Sequence, residues 1–191
     1  MQNKLIGYFS KITTLSKEEL KALEEGMVIT DFKKDTFLLK EGQTSVDTYF
    51  IVKGCIRQYT LIDGEEKTTN LFTENQWVIS MTSLAQNSPS THNLICMEDT
   101  AVVAGNEQKA RELFEKFPRF ETLSRMVMET TYAEQHKLMM SHLTETPEQR
   151  YLKLLNERSD LFQRIPQYHL ASYIGVKPES LSRIRKRILS K

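Results

Sequence analysis

Pro166-Gln-Tyr-His-Leu-Ala-Ser-Tyr-Ile-Gly175-Val-Lys-Pro178-Glu-Ser-Leu-Ser-Arg183-Ile-Arg-Lys-Arg-Ile-Leu-Ser190 is the stretch around which this chain of 191 residues can be organised. Leu170, Ala171 and Ile174 fall at i, i+1 and i+4, the apolar stripe of a short helix. Gly175 ends that helix, and Pro178, with its fixed φ and no N–H to satisfy, suits the first position of the next. A short helix, a glycine turn and a second helix predict a helix-turn-helix.

Within the second helix the period of 3.6 residues gathers Leu181, Ile184 and Ile188 on one arc, the side to be buried. Opposite them lie Glu179, Arg183, Lys186 and Arg187, with Ser180 and Ser182 on the flanks near the helix start. Such a face has the chemistry to read duplex DNA. An Arg one turn into the helix can donate two hydrogen bonds to O6 and N7 of guanine, a Glu at the start can accept from N4 of cytosine, and later cations suit phosphates. Lys177 and His169 complete the candidate DNA-contacting set. The plain alternative is a solvated basic face. The turn, the small Ala171 where two helices cross, and the hydroxyls beside the cations favour DNA.

The charge distribution agrees. From residue 144 onward lie ten of the 26 basic residues but five of the 25 acidic ones, a surplus of +5 in the tail against −4 in the rest. A positive field is needed only where phosphates are met. With 39% hydrophobic and 27% charged residues the composition is that of an ordinary globular protein with room for one large domain and one small. No apolar run approaches a membrane span, and Met-Gln-Asn-Lys-Leu-Ile-Gly lacks a signal-peptide pattern, so no membrane partner and a cytoplasmic location are expected. Cys55 and Cys96 sit in apolar strand-like runs and read as small buried hydrophobes, not a disulfide; no four-cysteine cluster exists for iron and sulfur.

Ahead of the tail, Ser16 with Glu19 makes a capping box, so a helix is expected from about Ser16 to Gly26. Short β-branched and aromatic runs follow: Met27 to Phe32, Thr36 to Lys40, Thr48 to Lys53, Ile56 to Leu61, Lys67 to Phe72, Leu94 to Met97 and Ala101 to Ala104. Asp63-Gly64 is the strongest hairpin signal. Strands at this spacing imply an antiparallel sandwich or barrel, giving an α+β chain.

Two sets of residues carry a resemblance. Leu170 to Gly175 followed by Pro178 to Lys186 resembles the recognition motif of the CRP/FNR transcription regulators, and Glu179 and Arg183 match the Glu and Arg that read operator bases there. A second base-reading Arg that some members place before the Glu is here Pro178, so the operator is expected to differ. Lys40-Glu41-Gly42, then Tyr49 to Gly54, then Asp63-Gly64-Glu65, resembles the glycine-punctuated β-roll of the cyclic-nucleotide-binding domain. Together they cover nearly the whole chain. The resemblance implies an antiparallel β-roll (a double-stranded β-helix), a long dimerisation helix and a winged helix-turn-helix, hence a homodimer.

One departure bears on the ligand. Members that bind cyclic AMP carry Gly-Glu and, ten residues after that Glu, an Arg followed by Ser or Thr. Ile79-Ser80 and Ser90-Thr91 stand at those places, and no Arg occurs between Arg57 and Arg111. Without a bidentate guanidinium for the phosphodiester, cyclic nucleotides are expected to bind weakly or not at all. A pocket for another small-molecule effector would draw on Trp77, Ser80, Met81, Ser83, Ser90, Thr91 and His92, although core packing is the plainer role for Trp77. A lone His92 makes a poor metal site, so neither metal nor cofactor is expected.

From about Asn106 the pattern is helical, and Phe120 to about Leu143 runs without Gly or Pro. Leu123, Met126, Thr130, Ala133, Lys137 and Met140 recur at spacings of three and four, the seam of a paired helix; Met128, Tyr132, Met139 and Leu143 form a second apolar set. Thr146-Pro147-Glu148-Gln149 caps the next helix, and Thr144 to Thr146 reads as a hinge. The expected organisation is a sensor roll over 1–117, the long helix over 118–143 and the DNA-binding domain over 144–191. The chain is expected to be a regulator and not an enzyme. A cupin-like barrel enzyme would need two or three His and a carboxylate on neighbouring strands, where only His92 is on offer. The other alternative is an effector-free, constitutive DNA-binding protein.

Overall fold

The computed structural model describes residues 3–45, 47–105 and 107–190. Its strands are β1 (Ile29–Phe32), β2 (Phe37–Leu39), β3 (Thr48–Lys53), β4 (Ile56–Ile62), β5 (Glu65–Phe72), β6 (Trp77–Ile79), β7 (Asn93–Cys96) and β8 (Thr100–Gly105). They make two antiparallel four-stranded sheets, one in the order β1-β8-β3-β6 and the other β2-β7-β4-β5. Asp63 and Gly64 carry φ of 52° and 79°, the two left-handed residues a tight hairpin turn demands, and they set the β4–β5 register from Ile62↔Glu65 to Tyr59↔Thr68, beyond which a bulge shifts it by one residue, from Gln58↔Asn70 to Ile56↔Phe72. Gly54, between β3 and β4, has φ of 104°, and a Cβ there would stand 2.7 Å from Thr100 Cα. Only glycine fits that corner.

Strand β3 is covered on both faces, which is why it reads Tyr49-Phe50-Ile51-Val52 without polar alternation. Ile51, Ile56, Phe72, Val78, Leu94 and Val102 fill the interior between the sheets. The outer face of the first sheet, through Phe50, Val52 and Val103, meets the helices α1 (Asn3–Ile12) and α2 (Lys17–Gly26) and the long helix described below. The outer face of the second, through Cys55, Leu71 and Met97, meets the tail. Cys55 and Cys96 thus face different cores as free thiols, and burial pushes them up to about 12 and about 11.

Helix α2 opens on the Ser16–Glu19 capping box read from the sequence. Absent from the sequence reading are α1, whose Leu5, Ile6 and Phe9 pack into the first outer core, α3 (Met81–Gln86) and the short strand β6. After α4 (Glu107–Lys116) comes α5 (Arg119–Thr144), which buries Phe120, Leu123 and Val127. Its two apolar sets separate differently from the sequence reading, because Leu123 of the expected seam joins the chain's own core. Tyr132, Met139 and Leu143 remain 64%, 53% and 73% exposed.

The tail holds α6 (Pro147–Glu157), α7 (Leu161–Arg164), α8 (Gln167–Ile174) and α9 (Pro178–Leu189). Thr146 and Gln149 complete the capping box on α6. Among the described residues no strand follows β8, so the winged part of the implied helix-turn-helix is not seen; its two helices are.

Candidate functional site

Helices α8 and α9 are joined by Gly175, whose φ of 81° lets its N–H and that of Val176 close on carbonyls of Ser172 and Ala171. This is a left-handed C-cap that any side chain would strain. Pro178 then takes the first turn of α9, with Lys177 as an extended N-cap residue. Leu181 and Ile184 are 1% and 7% exposed and lock α9 onto Leu170, Ala171 and Ile174. The opposite face is left to solvent.

That face carries most of the residues read from the sequence. Glu179, Ser182, Arg183, Lys186 and Arg187 are exposed, as is Lys177, and Ser180 is half-buried on the flank. Glu179 and Arg183 lie one turn apart, so both side chains project from one stripe. Arg187 is paired with Glu148 at 2.5 Å, which spends part of its charge within the tail.

His169 departs from the expected set. It is 8% exposed and faces the roll from α8, beside Arg57 and Glu66. Burial, reinforced by the Arg57 guanidinium, pushes its pKa down to about 4. A neutral imidazole facing the chain's own sheet is not placed to touch DNA. The sequence signal misled because α8 is short and nearly all of its residues between His169 and Ile174 face protein.

The tail is seated firmly on the roll. Strand β5 is an edge strand, and its outward backbone groups need partners. Ser172 supplies them: its hydroxyl accepts from Thr68 N at 2.9 Å and donates to Glu66 O at 3.2 Å. Arg158 donates to Leu71 O at 2.7 Å and to Thr73 Oγ1 at 2.9 Å. Arg164 reaches Glu74 at 3.1 Å, Glu98 at 2.5 Å and Asp160 at 2.9 Å. Burial disfavours that guanidinium's charge, but Glu98, Glu74 and Asp160 outweigh it and hold the pKa above its usual value. At the corner after α5, Arg150 donates to Ile174 O at 2.8 Å and to Glu145 O. One guanidinium thereby occupies carbonyls at the ends of two helices.

The candidate ligand residues lie on β6, on α3 and in the loop to β7. Ser80, Ser83 and Ser90 are buried, Met81 and His92 half-buried, and Thr91 exposed. Ser83 Oγ donates to Ser88 O and Ser90 Oγ to His92 O, each at 2.8 Å, so two of the hydroxyls close the loop on itself. Ser80 Oγ and His92 Nε2 are buried without a hydrogen-bond partner, and burial lowers the His92 pKa. Trp77 points elsewhere: its ring lies 5.2 Å from Phe50 and 6.4 Å from Tyr8 and from Phe9, the packing role the sequence favoured. Among the described residues no three His, Cys, Asp or Glu side chains gather as a metal site, and no helix is long and apolar enough to cross a membrane.

Residues 29–117 match the family described as the cyclic nucleotide-binding domain. Among solved structures the chain is similar to FixK2 from Bradyrhizobium japonicum, at 14% identity and a TM-score of 0.71, over 86% of this chain and 85% of that one. It is also similar to CLP from Xanthomonas campestris, a c-di-GMP-responsive global regulator, at 13% identity and 0.69, over 92% of each chain. A regulator of the CRP/FNR family from Eubacterium rectale gives 14% and 0.69, over 96% of this chain and 88% of the other. No curated protein sequence matches. Residues 29–117 thus match a cyclic nucleotide-binding domain model, and the chain as a whole shares the fold of these solved structures: antiparallel roll, long helix, C-terminal helices.

Proposed function

We propose that this protein is a homodimeric, sequence-specific DNA-binding transcription regulator of the CRP/FNR type, and no enzyme. The observation that carries the reading is the stripe of Glu179, Ser182, Arg183 and Lys186, exposed on a helix whose other face is buried and whose entry is fixed by Gly175 and Pro178. In this reading Glu179 and Arg183 contact base edges, while Lys177, Ser180, Ser182, Lys186 and Arg187 meet phosphates. The exposed Tyr132, Met139 and Leu143 of α5 supply a twofold seam, which would set two copies of α9 in successive major grooves roughly 34 Å apart. The organisation proposed is a sensor roll over 1–117, α5 as the dimer helix and the reader over 144–191, in the cytoplasm.

The roll is proposed to be unresponsive to cyclic AMP. Ser90, where cyclic AMP-binding relatives carry the phosphate-binding Arg, uses its hydroxyl on His92 O within its own loop, and no Arg lies between Arg57 and Arg111. A gel-shift series on operators selected from random duplexes tests the whole reading. Arg183→Ala should cost about 1–3 kcal/mol and relax specificity at one base step, whereas Lys186→Ala should weaken all sequences alike and lower the salt slope by about one. Cyclic AMP should leave every shift unchanged. Equal losses on all sequences for both variants would show that Arg183 reads no base, and a cyclic AMP-dependent shift would overturn the account of the roll.

A further inference from the structure

Where the last turns of α5, the tail and the roll meet lies a cavity of about 210 Å3, the volume of about seven liquid waters. It is separate from the 80–92 segment. Its walls come from three parts of the chain: Phe72 and Trp77 from the roll, Glu134 and Lys137 from α5, Lys153 and Tyr173 from the tail. Four lining side chains are cations, Lys137, Arg150, Lys153 and Arg158, against two carboxylates, Glu134 and Glu157. His142 adds no charge to this count, since burial and the Arg150 guanidinium lower its pKa.

The cations are held but not used up. Arg158 spends one N–H on Leu71 O and one on Thr73 Oγ1 and also meets the Tyr173 hydroxyl, out of five donors. Lys153 pairs with Glu145 at 3.1 Å and has two further ammonium protons. A cavity whose lining keeps a cation surplus even after Glu145 offsets Lys153, with donors in reserve and an aromatic wall, is complementary to an anion with a short apolar body. Its volume admits a short-chain acid.

We propose that this junction cavity binds a small organic carboxylate, the carboxylate group on Lys137, Lys153 and the two guanidinium groups, the stem against Trp77, Phe72 and Tyr173. Trp77 is the chain's single tryptophan, so its emission reports occupancy of its own wall. The full-length protein is titrated with succinate, glutarate and hexanoate, with inorganic phosphate and cyclic AMP in parallel. Lys137 and Glu157 are exposed, so replacing them spares the fold. A saturable change in emission is expected with a carboxylate, weakened about two- to fivefold by Lys137→Ala and tightened by a similar factor by Glu157→Gln. No saturation with any carboxylate up to millimolar concentration overturns the proposal. So do an equal response to phosphate or cyclic AMP, and variants that shift affinity in the same direction or not at all. The titration contains no DNA, so its outcome is independent of the reading of α9.

Discussion

Replacing Arg164 by alanine should loosen the tail from the roll while leaving each part folded. The guanidinium bridges Glu74 and Glu98, which stand on two different turns of the roll, and its side chain is 21% exposed against 26% and 35% for theirs. Truncating one partner of a fully buried pair costs about 3–5 kcal/mol, and an exposed pair is worth about 0–1 kcal/mol. One-fifth exposure puts this cluster between those limits. Glu74 also keeps the Gly54 N–H at 2.9 Å, which moderates the loss to about 2 kcal/mol. Such a drop in the free energy of local opening corresponds to about 30-fold faster hydrogen exchange in α8, with the amides of β3 and β8 unchanged. It also lowers the urea midpoint by about 1 M if the tail and roll unfold together. Arg164→Lys, which cannot span both carboxylates, should fall between. If α8 exchanges at the parent rate in Arg164→Ala, the ion cluster does not hold the tail, and the account of the interdomain seat fails.

Two further outcomes test other parts of the structure. Gly54→Ala should destabilise the roll by about 2–4 kcal/mol in urea melts, from the left-handed backbone and the collision with Thr100 together; a loss under about 0.5 kcal/mol would mean that this corner can relax. The pH dependence should carry the mark of His169, whose pKa is pushed from 6.5 down to about 4 in the folded chain. Unfolded His169 takes up a proton below 6.5 and the docked one does not, so stability is full above that pH and declines as pH falls from 6.5 to about 4. The ceiling is about 3 kcal/mol, and His169→Gln should flatten that limb of the midpoint-versus-pH curve.

The features legible in the sequence are those fixed by chemistry between near neighbours. Asp63-Gly64 has few alternatives to a tight hairpin, the Ser16 and Thr146 boxes satisfy helix N–H groups within one turn, and Gly175-Val176-Lys177-Pro178 encodes one helix end and one helix start. Strand β6 escaped notice because Trp77 to Ile79 is too short to show a period. Helix α1 had its signal in Leu5, Ile6 and Phe9, weakened by Gly7 in its middle. The exposed stripe of α9 was readable because an amphipathic helix sorts its own faces. The fate of His169 was not, because it depends on Arg57 and Glu66, more than a hundred residues away.

The long-range contacts have a consequence for how the tail can move. Ser172 belongs to the helix that carries the turn into α9, yet its hydroxyl caps the free edge of β5. Lifting the tail therefore exposes Thr68 N and Glu66 O on an edge strand, and water must replace what Ser172 gave them. The corner at Thr144–Thr146 is no free joint either, since Arg150 ties Glu145 O to Ile174 O, the last carbonyl of α8. A rotation of α6 to α9 about that corner has to break the Arg150 contact to α5, the Ser172 cap and the Arg164 cluster together. Because the three sit on different walls, no single contact can open alone with much gain in freedom. The contacts that seat α9 relative to the roll are thus coupled through the β5 edge and the carboxylates of Glu74 and Glu98.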